Sequence, residues 1–199
     1  MSERPILFNT AMVKAILGGR KTQTRRIIKP PFEIHHHTDG LSITHPKQFN
    51  GEYCRFHPYN PPNQIGDTLW VRETWAQTWT PDSNEIGFIY KADGIPQKFP
   101  YWGNEKHCKD EVWIPSIHMP REAARLFLTV NDVRVERLQD IESRGAWNEG
   151  VNCKCMYPVP ECAGNRKEFA KLWDGIYKSQ GYGWADNPWV WVIEFERVV

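Results

Sequence analysis

The stretch GGRKTQTRR, residues 18–26, concentrates two glycines, four cations and two threonine hydroxyls in nine residues. A guanidinium stays protonated and offers a planar, bidentate fork. Arg20, Arg25 and Arg26 are therefore read as holding a phosphate, a carboxylate or the polar edge of a substrate, with solvated surface the plain alternative for at least one of them. Lys21 and Thr24 raise a different question: a lysine whose pKa is lowered by burial or by neighbouring cations is a base, and a threonine hydroxyl is a nucleophile. Two further stretches carry candidate groups. In PSIHMPR, Pro115 and Pro120 stiffen a loop that presents His118 and Arg121; His118 reads either as a proton shuttle or as an imidazole satisfied by the backbone. In WVRETW, Arg72 and Glu73 stand at a strand end, where they either line a cleft or pair across neighbouring strands.

Five cysteines, an odd number, argue against a closed disulfide framework. Cys153, Cys155 and Cys162 lie close in sequence, with His107 and Cys108 elsewhere. A C-x-C followed by a lone cysteine lacks the paired knuckles of a zinc signature, so reduced thiols in a loop, no metal and no cofactor are expected. The HHH at 35–37 sits in a polar loop with no assignable ligand partner.

The elements that must position these groups follow from periodicity and caps. Asn9 or Thr10 can cap a helix whose Met12, Val13, Ile16 and Leu17 keep helical spacing and which Gly18 and Gly19 end, so the basic stretch begins just past a helix C-terminus. Gly66 and Asp67 make a turn into a strand with Leu69 and Val71 on one face, and EIGFIYKA reads as another strand. The run after Arg125 alternates as β structure and is expected to turn at Asn131 and Asp132. LQDIESRGAWNEGV reads as a short helix, and RKEFAKLWDGIY as a longer one with Phe169, Leu172, Trp173 and Ile176 on one face. The chain ends in a segment of high β propensity, NPWVWVIEFERVV. Five or more strands with two or three peripheral helices predict an α+β fold built on a small barrel, with the terminal strand closing the sheet. The 199 residues suit a single domain, 1–199, with excursions at 30–66, 76–112 and 152–165.

Taken together, a helix ending in GGRKTQTRR, then GDTLWVRETW, WIPSIHMPREAARL, GAWNEGV and a terminal WVWVIEFERV resemble the ASCH domain in its larger phage and prophage form. The resemblance spans almost the whole chain. It implies a PUA-like β-barrel with a cleft beside the first helix, used by relatives for RNA or modified bases. Small ASCH amidohydrolases that deacylate acetylcytidine carry K-T-x-T-x-R and a later glutamate, matched here by Lys21, Thr22, Thr24 and Arg26, with Glu149 the best match to the glutamate. The implied catalytic trio is Lys21, Thr24 and Glu149. In it, the Thr24 hydroxyl or a water beside it attacks an acyl carbonyl, Lys21 activates it or stabilises the developing charge, and Glu149 orients Lys21 and moves the proton. The competing reading is a Lys21–Glu149 salt bridge with Thr24 on a strand face. The implied function is hydrolysis of an acyl-amide on a modified cytidine or related nucleoside; a non-catalytic RNA-binding module, or a ribonuclease, is the alternative.

Composition limits the partners. Lys and Arg number 25 against 24 Asp and Glu, a net charge of +1, so nucleic-acid contact must come from local patches. No stretch has the length of a membrane span or the pattern of a signal peptide, which predicts a cytoplasmic protein with no membrane partner. Among the ten tryptophans, Trp70, Trp75, Trp189 and Trp191 are expected in the core, and Trp102 and Trp184 as rings for stacking on a base.

Overall fold

A computed structural model describes residues 2–30, 32–37, 40–45, 57–58, 60–80, 85–94, 113–156 and 158–198. In chain order the elements are β1 (Glu3–Leu7), α1 (Thr10–Leu17), β2 (Gln23–Ile27), β3 (Glu33–His37), β4 (Gly40–His45), β5 (His57–Pro58), β6 (Thr68–Arg72), β7 (Trp75–Thr80) and β8 (Glu85–Tyr90). There follow β9 (Phe127–Arg137), α2 (Ser143–Asn148), α3 (Ala163–Tyr177) and β10 (Trp189–Arg197). The fold is mixed α+β.

The main sheet runs β1-β6-β9-β10-β2; β1 and β6 are parallel and the other pairs antiparallel. The burial of β10, its most buried strand, explains the weak alternation of that strand's sequence. Trp191, Ile193 and Phe195 pack with Ile16, Leu69 and Leu128 in one buried cluster, while Val190 and Val192 pack with Phe169, Trp173 and Leu138 in another. A strand covered on both faces reads as a continuous apolar run rather than an alternating one.

Two expectations about the sheet are corrected. Among the described residues it does not close into a barrel: β1 and β2 are its free edges, and β10 lies inside it between β9 and β2 rather than sealing it. The edges are bridged by a side chain, the Arg26 guanidinium donating to the Leu7 carbonyl at 3.3 Å. Nor does the chain turn at Asn131 and Asp132. Phe195 pairs with Val130 and Glu194 with Asp132, so Asn131 is absorbed as a bulge in one continuous strand.

Short sheets occupy the excursions, β3-β4-β5 in one and β7-β8 in another. Asn9 caps α1, its side chain accepting from the Met12 N–H, and Gly18 ends the helix, as the spacing predicts. The expected helix near 138–151 is a 3-10 turn at Leu138–Asp140 followed by α2. Of the apolar face expected on α3, Phe169 and Trp173 are buried, Leu172 is half-buried, and Ile176 is exposed. No helix among the described residues is long and apolar enough to cross a membrane.

Candidate functional site

Residues 20–22 make the bend between two helix ends. The N–H groups of Arg20 and Lys21 both donate to Ala15 O at the end of α1, and the Thr22 N–H donates to Asn148 O at the end of α2. Lys21 Nζ then reaches the next α2 carbonyl, Glu149 O, at 2.8 Å, and Gln23 Nε2 binds Gly145 O at 2.9 Å. Carbonyls at a helix C-terminus lack intrahelical partners and carry partial negative charge, so a cation and two N–H donors there fix α2 against the strand. Gly150, at φ 91°, turns the chain out of α2; a Cβ there would lie 2.9 Å from Ala15 Cβ and 3.2 Å from Lys21 Cβ. The bend brings Glu149 over Lys21.

Lys21 Nζ donates to Gln23 O at 2.7 Å, to Glu149 O at 2.8 Å and to Glu149 Oε2 at 3.1 Å. Its three hydrogens are committed, and the side chain is 0% exposed. Burial pushes its pKa below the ordinary lysine value, with Arg26 and Arg25 acting in the same direction and Glu149 against them. The other Glu149 oxygen, Oε1, accepts from Arg25 at 3.0 Å, and Arg25 also donates to Glu136 at 2.8 Å. Glu136 is held in turn by Arg134, which also pairs with Asp132 and Glu194. A charge network thus crosses β2 and β9 and ends on Lys21.

Thr24 is 1% exposed, and its hydroxyl oxygen accepts from Arg26 at 2.9 Å. Thr24 and Glu149 line one small cavity of about 30 Å³ together with Arg25, Arg26, Met12, Ile176 and Tyr177. That volume suits a single water molecule. The cavity abuts a cleft of about 860 Å³ at the seam between β1 and β2, with which it shares Met12, Arg26, Ile176 and Tyr177; Arg4, Leu7, Phe8, Asn63 and Ser116 also line the cleft. A second cleft of about 450 Å³ also reaches Glu149, past Gly150, Asn152 and Lys154.

Of the predicted site residues, Lys21, Thr24, Glu149, Arg25 and Arg26 are therefore brought together. Arg25 is buried between two carboxylates rather than presented to a ligand. Arg20 donates to Gly150 O and stacks over Trp147, away from the seam. Glu73 is buried in a two-pronged pair with Arg125, which also holds Asp93. His118 is exposed, and Arg121 pairs with Glu3 and covers the Phe127 ring. None of these last three lines any of the three cavities.

The tryptophan expectations divide similarly. Trp75 and Trp191 are buried, Trp189 packs, partly buried, against the main core with Arg137 over it, and Trp70 is partly buried beneath Arg72. Trp184, expected as a stacking surface, packs against Phe169 with Arg166 over it. Trp102, His107 and Cys108 lie outside the described residues, as do the side chains of His36 and His37. Cys153 and Cys155 are joined in a disulfide and Cys162 is free, so the expectation of wholly reduced thiols is corrected; the three sulfurs lie within 4.8 Å of one another.

Sequence reasoning missed Arg134, Glu136 and Arg125. For the first two a signal existed: Asp132, Arg134 and Glu136 alternate on one strand face, which places opposite charges side by side. Compared with protein-family models, curated proteins and solved structures, the chain gives no match, and what the site can do rests on its own geometry.

Proposed function

We propose that the protein is an ASCH-type hydrolase of the PUA-like class that cleaves an acyl-amide on a modified cytidine or related nucleoside. The observation that carries this reading is that a hydroxyl, Thr24, and a carboxylate, Glu149, line the same water-sized cavity against a cleft large enough to admit a nucleoside. The nucleoside occupies the seam cleft, with its acyl group directed at Thr24. The Thr24 hydroxyl, or a water held beside it, attacks the carbonyl carbon; Glu149 takes the proton and returns it to the leaving amine as the C–N bond breaks, and on the hydroxyl route a water, deprotonated by Glu149, then cleaves the acyl–Thr24 ester and the proton returns to the Thr24 oxygen. One water is consumed, and a carboxylic acid and an amine are released.

Arg26 has two parts in this scheme. Its N–H on the Thr24 oxygen stabilises negative charge developing there, and its place on the cleft wall lets it meet the tetrahedral oxyanion. Lys21 acts as a positioning residue: its hydrogens are committed to Glu149 and Gln23, so it fixes the carboxylate's direction rather than touching substrate. A panel of acylated cytidines and short RNAs tests the reading. Release of free acid with turnover supports it, whereas salt-dependent RNA binding without turnover supports a binding module instead.

A further inference from the structure

We propose that Cys153, Cys155 and Cys162 form a thiolate site for a soft divalent cation, zinc by its chemistry, that staples the α2–α3 connection to the start of α3. The three sulfurs lie within 4.8 Å of one another, and those of Cys155 and Cys162 are 3.7 Å apart. Thiolates at about 2.3 Å from a tetrahedral zinc sit roughly 3.8 Å from each other. The Cys155–Cys162 spacing fits a shared cation as it stands, and Cys153, bonded to Cys155 in the structure, joins the set once that disulfide is opened.

The backbone around the sulfurs is built to hold them there. Asn165, wholly buried, accepts the Cys153 N–H at 2.7 Å and donates to Val159 O and Pro160 O. Its own N–H donates to Cys162 O, and the Cys162 N–H donates to Val159 O. A single amide thus ties the segments carrying Cys153 and Cys162. Gly164 allows their approach, because a Cβ there would lie 2.7 Å from Cys153 Cβ and 3.5 Å from Cys162 Sγ. Cys162 is also the N-cap of the 15-residue α3 and makes no side-chain capping bond, which leaves its sulfur beside the positive end of the helix dipole, where an anionic ligand set is favoured.

Hydrophobic burial does not explain the order of this connection. Among its described residues, 151–162, Cys153 is the one that is buried, while Met156 and Val159 are exposed. A Cys153–Cys155 disulfide closes a ring of minimal length and so removes little unfolded-chain entropy; it also leaves Cys162 unused. A cation uses all three sulfurs. The two states exclude each other: an external dithiol must deliver two electrons and two protons to open the disulfide, after which the metal displaces three protons from three thiols and keeps a water as its fourth ligand. Asn152 and Lys154, in the stapled segment, line the cleft that reaches Glu149, so the staple sets one wall of that cleft.

The test uses the full chain purified under reducing conditions. Elemental analysis is expected to find one zinc per chain, and cobalt substitution to give tetrahedral d–d bands with thiolate charge transfer. Cys155→Ser and Cys162→Ser are expected to weaken zinc binding by more than the roughly 10- to 100-fold that loss of an outer-shell partner costs. A chelator should lower the wild-type Tm and leave that of folded Cys162→Ser unmoved. Cys155 is exposed, so its serine variant keeps the test meaningful if Cys162→Ser fails to fold. Reduced wild type that binds no metal, variants that bind as tightly as wild type, or a mass two hydrogens short that persists in reductant would each overturn the proposal.

Discussion

The Lys21 ammonium and the Glu149 carboxylate meet at 3.1 Å with side chains 0% and 4% exposed, joining the end of α2 to the lead-in of β2. Breaking a buried, hydrogen-bonded pair leaves an uncompensated charge and costs about 3–5 kcal/mol. Lys21→Met and Arg25→Met are each expected to destabilise the fold by that order, read as a lower denaturant midpoint. Arg25 loss is thus first a stability defect; a variant of wild-type midpoint that only weakens ligand binding would restore the sequence-based view of Arg25.

The helix cap at Asn9, the glycine stop, the strand after Gly66 and the apolar terminal strand are local patterns and were legible in the sequence. The convergence of residues 21 and 149 was legible only through motif resemblance, because a 128-residue separation leaves no periodic trace. Likewise, nothing in the sequence of Arg25 distinguishes a ligand-binding guanidinium from one enclosed by Glu136 and Glu149. The open sheet was missed for a related reason: strand propensity does not specify whether two edges, β1 and β2, find each other or leave a cleft.

Gly150 is where backbone and site meet most tightly. A side chain there would combine a positive φ with overlap on Ala15 and Lys21. Gly150→Ala is expected to cost at least about 1–2 kcal/mol and to displace Glu149. Thermal melts should show the loss; an unchanged Tm would mean that the α2 end is looser than its hydrogen bonds imply.

Acid stability should depend on Asp67. Backbone N–H groups of Gln64 and Ser2, with the Ser2 hydroxyl, lower its pKa from 3.8 to about 2. Because the folded value is depressed, this stabilisation is complete above the unfolded pKa of about 4 and is lost as pH falls toward 2. Glu136, against whose charge burial works, is still held below its ordinary value by Arg134 and Arg25, and acts in the same direction. Asp67→Asn should flatten the pH dependence of the unfolding midpoint between roughly 4 and 2; an unaltered slope there would contradict the assignment.

Arg26 spans the sheet seam and touches Thr24. Arg26→Lys keeps the charge but not the fork, and turnover is expected to fall by about 10²–10³, the usual effect of losing one oxyanion donor. Equal turnover in wild type and Arg26→Lys would remove Arg26 from the chemistry.

Thr24 and Glu149 act together in the small cavity beside the seam cleft in the proposed hydrolysis, and the most direct measurement is acid release from acylated cytidines by wild type, Thr24→Val and Glu149→Gln, with folding checked by circular dichroism. Wild type is expected to turn over at least one substrate, and each folded variant to lose about a hundredfold or more in kcat. Absence of turnover by wild type across the panel, or a folded Glu149→Gln that matches wild type, would contradict it.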